Sequence, residues 1–446
     1  MPDKQLLWDI TGRCNLFCQH CYAYDKYEWR NKEYVQRRDM TLEESQKFLS
    51  QAKEMGFNHV HLLGGEPLLR PDVLDILTFA RRILDLKITM NTNGLLLTPK
   101  MIDSLIDLEI YQVAVSFEGT TAKIHDAIRG SGNFERARKN LKVLGDRVIE
   151  HGSEMLVGVG YVITLNGLTD VKNVFQFALD NCANGLTVDF ISKDGRAVEF
   201  FEELEYPVEN AITALEELME SASGRVPPGF VFQLNVKPRL RRYLSERYGV
   251  VLKGEAFGDL CPAGNHAMLV ENDGVTTPCG ILNKKLKNQQ AVSEGRYTPE
   301  RLHIKDFSSF EELQETTFFR SFREFKKQHQ GTVPTCRTCE FRASCQPCPI
   351  DWLDAKEVRE CVIAEEHRDC WRSSLWNRPL SVNLPNSSSL NDNGRKIVEA
   401  LQKQQTLAEI SHSIAVSNGV TQAQVEEDIW EFAMSLRLAG LLSITC

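Results

Sequence analysis

Three thiols near the start of the chain carry its most distinctive chemistry: Cys14-Asn-Leu-Phe-Cys18-Gln-His-Cys21. Three thiolates on so short a loop can hold three irons of a [4Fe–4S] cluster and leave the fourth iron to a ligand from outside the protein. A zinc ion would need a fourth donor. The nearest is His20, beside Cys21, so the loop would have to close tetrahedrally on itself. Cysteines concentrate again at Cys261, Cys279, Cys336, Cys339, Cys345, Cys348 and Cys361. The pairs Cys336/Cys339 and Cys345/Cys348 could form a zinc ribbon, but their five-residue gap is short of the usual separation of about 15–20. The total of 13 is odd, and the first residues are charged where a secretory signal would be apolar. Metal binding in a reducing, cytoplasmic setting is therefore expected rather than a disulfide framework.

These groups need elements to position them. Residues 4–10 read as a strand leading straight into the first cysteine loop. Beyond it, strands are expected at 59–63, 86–91, 111–117, 155–164 and 186–191. Helices alternate with them, over 41–55, 71–84, 99–108, the stretch to about 150, and 171–179. Thr41-Leu-Glu-Glu44 opens the first of these as a capping box. Six strands alternating with helices predict a βα repeat on a parallel sheet, either open or curled into a partial barrel. Polar groups then fall at successive strand ends: Gly64-Gly65-Glu66-Pro67 after the second, Thr92-Asn93-Gly94 after the third, Ser116-Phe117-Glu118-Gly119 across the end of the fourth. Ligands of α/β sheets bind at that edge. Two glycines permit close backbone approach, and Glu66 offers acceptors to an ammonium group.

In this order of motifs, residues 4–195 resemble the radical S-adenosylmethionine (radical SAM) superfamily. The resemblance implies a partial (β/α)6 TIM barrel, with Cys14, Cys18 and Cys21 as cluster ligands. The amine and carboxylate of S-adenosylmethionine would chelate the open iron. Gly64, Gly65 and Glu66 would hold the amine, and Asn93, Ser116 and Arg129 match positions that contact the ribose or carboxylate. His20 stands where the family usually has an aromatic residue packing near adenine; imidazole is planar and can stack. One electron would then cleave the sulfonium bond to give a 5′-deoxyadenosyl radical, which abstracts hydrogen from a substrate.

The second cysteine group resembles the SPASM extension found in radical SAM enzymes that act on peptides and proteins. That likeness implies two auxiliary iron–sulfur clusters. Cys336, Cys339, Cys345 and Cys361 would hold one, and Cys261, Cys279 and Cys348 the other. The sequence departs from the pattern twice: Cys345-x2-Cys348 is one residue short, and Ala267 stands where some relatives have a further cysteine. Cys370, a non-cysteine ligand or an open iron would complete the second set. Residues 380–446 form a third region, similar to a RiPP recognition element, the small winged-helix-like domain that binds a precursor's leader peptide as an added strand. The expected division is 1–200 radical SAM core, 201–260 bridge, 261–375 SPASM domain and 380–446 recognition-element-like domain. Cys182, at a helix end, is expected to be packing.

Hydrophobic residues make up 42% and charged residues 25%, and the net charge is −9. A folded chain is expected, without the clustered cations that nucleic acid requires. The longest apolar run, near 155–164, is far short of the roughly 20 residues of a membrane span. The leading expectation is a peptide-modifying radical SAM/SPASM enzyme. Its partners would be a leader-bearing precursor peptide, an electron donor such as flavodoxin or ferredoxin, and a separate leader-binding protein if the C-terminal strands are too short. Cross-linking is favoured over epimerisation or backbone rearrangement, because auxiliary clusters can accept the electron left after two hydrogens are removed. Two other expectations stand beside it: sulfatase-maturase-type oxidation of a protein Cys or Ser, for which Gly280 replaces the expected basic Asp, and a non-catalytic iron–sulfur electron carrier.

Overall fold

The computed structural model describes residues 4–22, 38–192, 195–254, 263–279, 300–329, 339, 345, 359–384 and 390–443. Three expected ligands, Cys261, Cys336 and Cys348, lie outside the described residues. The chain forms two compact units, one of residues 1–218, 228–236 and 253–358, the other of residues 219–227, 237–252 and 359–446.

In the first unit, β1 (Lys4–Asp9), β2 (Phe57–Leu63), β3 (Lys87–Thr92), β4 (Gln112–Phe117), β5 (Leu156–Ile163) and β6 (Gly185–Phe190) are parallel, and each pairs with the next. The crossovers carry α1 (Leu42–Glu54), α2 (Val73–Thr78), α3 (Pro99–Asp107), α4 (Ala122–Arg129), α5 (Asn133–Glu150) and α6 (Val174–Asp180). The capping box expected at Thr41 and Glu44 opens α1.

Parallel crossovers are right-handed, and the strand order β1 to β6 never reverses. Every connecting helix therefore falls on one side of the sheet. Strand side chains alternate between faces, and those on the helix side are apolar. Trp8 meets Phe48 of α1 edge-on at 5.0 Å, and Phe117 packs among His125, Phe134 and Phe177. In the register of the paired strands, Gln5, His59, His61, Thr89, Ser116, Thr187 and Asp189 share the opposite face. A helix-covered apolar face backed by a polar one is the arrangement of a partial (β/α)6 barrel, with the polar side inward.

The sheet extends beyond the six expected strands. β7 (Val231–Asn235) lies parallel to β6, inside the stretch expected as a bridge. At the other edge, β8 (Ala267–Val270) is parallel to β1 and continues antiparallel into β9 (Val275–Thr277) and β10 (Leu302–His303). The final order is β10-β9-β8-β1-β2-β3-β4-β5-β6-β7.

The second unit gathers α7 (Pro238–Tyr248), α8 (Arg359–Trp376), α9 (Asp392–Gln402), α10 (Leu407–Asn418) and α11 (Gln422–Leu438). Its core includes Trp371, Leu375, Ile397, Leu401, Leu407 and Trp430. Trp371 and Trp430 meet edge-on at 5.3 Å. Capping boxes at Thr406/Glu409 and Thr421/Gln424 open α10 and α11. β11 (Ser381–Val382) pairs antiparallel with β12 (Leu442–Ser443). The buried Glu246 of α7 accepts from Arg242 (2.7 Å), Arg368 (3.0 Å) and the Trp430 indole (3.4 Å). The 201–260 stretch is thus divided between the two units, and α7 packs with α8 and α11. Among the described residues no helix is long and apolar enough to cross a membrane.

Candidate active site

The cysteine loop leaves the C-terminal end of β1 and is fastened from several directions. Thr11 Oγ1 donates to Asp39 at 2.7 Å, and the Gly12 amide and Asn272 Nδ2 share the other carboxylate oxygen at 3.1 and 2.8 Å. The buried Arg70 donates to the Ile10 carbonyl at 2.7 Å. The Gln19 amide donates to the Ile128 carbonyl at the end of α4. From the loop after β6, the Arg196 amide and guanidinium donate to the Cys21 and Cys18 carbonyls, each at 2.9 Å. That guanidinium also covers the Phe17 ring, 3.2 Å from its centroid.

Glycines make these approaches possible. The Gly65 and Glu66 amides donate to the Thr11 and Arg13 carbonyls, both at 2.8 Å. A Cβ on Gly65 would stand 2.0 Å from the Arg13 carbonyl oxygen, and one on Gly64 (φ +115°) 2.4 Å from that of Thr11. The tight approach of the glycine pair is thus to the cysteine loop itself. Glu66, 1% exposed, accepts from Leu68 N (3.1 Å), Thr92 Oγ1 (2.7 Å) and Asn93 N (2.8 Å). Its carboxylate ties the end of β2 to the end of β3. Burial pushes its pKa up, against the pull of these donors. Asn93 in turn donates to Asn15 Oδ1 at 2.8 Å, reaching into the cysteine loop. Ser116 sits half-buried on the inward face at the end of β4.

Glu118, just beyond β4, is fully buried and is the hub of the site. Both its oxygens take Arg129, through Nε and through Nη2 at 2.7 Å, and His20 Nε2 lies 2.9 Å from Oε1. Burial alone would raise its pKa, but Arg129 and His20 hold it well below the ordinary carboxylate range. Arg129 and His20, expected as cofactor contacts, are therefore both anchored to one carboxylate. The sequence shows Glu118 only as one polar residue after a strand, and Arg196 only as a residue at the expected domain boundary.

Of the three thiols, Cys18 is buried and Cys14 and Cys21 half-buried. Burial pushes the Cys18 thiol up to about 12 and raises that of Cys14. Such thiols stay protonated unless a metal takes the proton's place. Among the described residues no three His, Cys, Asp or Glu side chains gather closely enough for a single metal ion. The donor set suits a cluster: three soft thiols, a backbone cradle that admits no Cβ, and a buried His20 Nδ1 with no hydrogen-bond partner among the described residues. In the second group, Cys279, Cys339 and Cys345 are half-buried in the first unit, and Cys361 is buried in α8 of the second. Cys370 is exposed on α8. Cys182, expected as packing, is half-buried against Gly145, with its sulfur 2.9 Å from Lys142 Nζ.

Residues 8–169 match the radical SAM superfamily. Among curated proteins, the AdoMet-dependent heme synthase of Methanosarcina barkeri is 24% identical over 77% of this chain and 90% of its own length. The mycofactocin maturase MftC of Mycolicibacterium smegmatis is 23% identical over 80% of this chain and 82% of its own. Among solved structures, Streptococcus suis SuiB bound to its precursor peptide SuiA superposes with a TM-score of 0.58 at 17% identity, over 80% of this chain and 74% of that one.

Proposed function

Since residues 8–169 are a radical SAM domain, and such a domain carries a [4Fe–4S] cluster and S-adenosylmethionine, we propose that this enzyme modifies a ribosomally synthesised precursor peptide by hydrogen abstraction, forming a cross-link. Cys14, Cys18 and Cys21 hold the cluster; Gly64, Gly65, Glu66, Asn93, Ser116, Arg129 and His20 surround the cofactor. The bound pair supplies one-electron cleavage of the sulfonium carbon–sulfur bond, and so a 5′-deoxyadenosyl radical able to take hydrogen from an unactivated C–H. The chain's own residues position and enclose. Glu66 and Glu118 fix the strand ends around the site, and Arg196 holds the cysteine loop from the far side. Cys261, Cys279 and Cys348, and Cys336, Cys339, Cys345 and Cys361, are assigned to two auxiliary clusters. A flavodoxin or ferredoxin in the cytoplasm supplies electrons.

The observation that carries the peptide reading is the C-terminal assembly of three capped helices and the β11–β12 ladder. A two-stranded ladder is a template to which an extended leader can add a third strand. The kinship with a mycofactocin maturase supports it, as does the shared fold with SuiB, crystallised with its precursor. The two strands are only two residues each, so a separate leader-binding protein is a natural partner. The test is mass spectrometry of a co-expressed precursor. Loss of two hydrogens is the expected result. An unchanged mass overturns cross-linking, and deuterium uptake from D2O at unchanged hydrogen count marks epimerisation instead.

A second reading has its own support, the alignment with a heme synthase over 90% of that protein's length. It requires an iron tetrapyrrole to bind the anaerobic holoprotein. Visible-range titration with such a compound separates the two readings.

A further inference from the structure

The β8–β9 hairpin stands beside the start of the cysteine loop and is fastened to it. β8 is parallel to β1, with Val270 opposite Trp8, so its turn lies just past the strand end from which that loop departs. The turn is itself closed. Gly274 N donates to the Glu271 carbonyl at 2.9 Å, Glu271 N to that of Val275 at 2.7 Å, and Arg301 pairs with Asp273 at 2.7 Å. Asn272, 4% exposed, belongs to this turn. Its Nδ2 donates to Asp39 Oδ1 at 2.8 Å, and its carbonyl accepts from Met40 N at 2.9 Å. Asp39 is the residue that takes Thr11 Oγ1 and Gly12 N. The fit is close: a Cβ on Gly12 would stand 3.3 Å from Asn272 Nδ2.

The other end of the hairpin leads to a second thiol. β9 returns antiparallel beside β8, with Thr276 and Thr277 buried, and Cys279 follows two residues after it. At the rise of an extended chain, Cys279 is about 13 Å from Val275. One short, hydrogen-bonded segment therefore connects the clasp on the first cysteine loop to a thiol of the second group. We propose that this hairpin couples the two iron–sulfur sites: Asn272, acting through Asp39, is a positioning residue for the first loop, and a cluster held at Cys279 steadies the hairpin that presents it. The clasp has two states. Engaged, it fixes Thr11 and Gly12, and with them the loop that receives the cofactor; released, it frees both. Cofactor binding and occupation of Cys279 each favour the engaged state, and such a coupling is reciprocal. The inference rests on the assignment of Cys279 to an auxiliary cluster and is independent of which substrate the enzyme modifies.

The test is hydrogen exchange of the reconstituted, anaerobic holoprotein, read by mass spectrometry with and without S-adenosylhomocysteine, which has no sulfonium to cleave. By reciprocity the ligand should slow exchange of the β8–β9 amides about fivefold or more. Asn272→Ala, which keeps the backbone bond to Met40, should abolish that response and weaken the ligand about fivefold in isothermal titration. Asn272→Asp has the shape of the native residue but sets a second carboxylate against Asp39, so it should bind the ligand more weakly than Asn272→Ala. A space-filling role predicts the reverse order. Cys279→Ala should lose iron and weaken the ligand, and the two substitutions together should cost less than the product of their separate effects. Unchanged hairpin exchange in the wild type overturns the proposal with no variant needed. So does a response that persists in Asn272→Ala, tighter binding by Asn272→Asp than by Asn272→Ala, or effects of the two substitutions that simply multiply. Cys279→Ala with a full complement of iron overturns both the ligand assignment and the coupling built on it, and leaves the peptide reading untouched.

Discussion

At the scale of single residues, Glu118 decides more than its neighbours. It is completely buried, and its charge is matched by Arg129. Removing one partner of a buried pair leaves the other uncompensated. Glu118→Gln should therefore lower the unfolding free energy by about 3 kcal/mol in urea titrations near neutral pH. Its depressed pKa gives the sign of the pH dependence. The stabilisation is fully present above the ordinary value of 4.5 and is lost as the pH falls from there toward the lower folded value. His125, 1% exposed, adds an effect at milder acidity. Burial lowers its pKa from 6.5 to about 4, so the unfolded chain takes up the proton first. Stability should be greatest above pH 6.5 and decline toward pH 4, and His125→Phe should flatten that part of the curve. The three thiols of the loop are legible in sequence because their types and spacing are local. Glu118 is not, because its role exists only once residues 20, 125 and 129 converge on it from separate elements.

At the scale of elements, the contact between the β2 end and the cysteine loop is set by missing side chains. A methyl group on Gly65 has no room, because the nearby Arg13 carbonyl is backbone and cannot swing aside. Gly65→Ala should displace the thiols while the sheet stays folded. Iron per chain after reconstitution should fall by one cluster, and 5′-deoxyadenosine formation by about 100-fold or more. Six strands and their helices were legible from the apolar alternation and the Thr41 cap. β7 was not, because Val231-Phe-Gln-Leu-Asn235 is short and lies between helical patterns. β8 to β10 were hidden for a related reason: a strand of two to four residues carries too little period to register.

At the scale of the whole molecule, the C-terminal region is less separable than its sequence suggests. The acidic face of α11 looks solvated when read alone, yet Glu427 and Glu431 meet Arg372 and Arg242. The cations come from helices remote in sequence, which is why composition could not reveal them. Glu246→Ala leaves Arg368 without its buried partner and should lower the stability of the second unit by about 3 kcal/mol. S-adenosylmethionine cleavage should be unaffected, and calorimetry alongside 5′-deoxyadenosine assay checks both. A chain ending near residue 380 would expose Trp371 and Leu375, now buried with α9 to α11, and is expected to aggregate.

Asp39 gives the molecule an order of assembly. The carboxylate that steadies Thr11 and Gly12 is itself held by Asn272, while the thiols it serves occupy positions 14 to 21. During synthesis at about 5–20 residues per second, those thiols leave the ribosome on the order of ten seconds or more before Asn272 does. Iron delivered in that interval would meet a loop with one mooring absent, so productive loading belongs after translation of the β8–β9 turn.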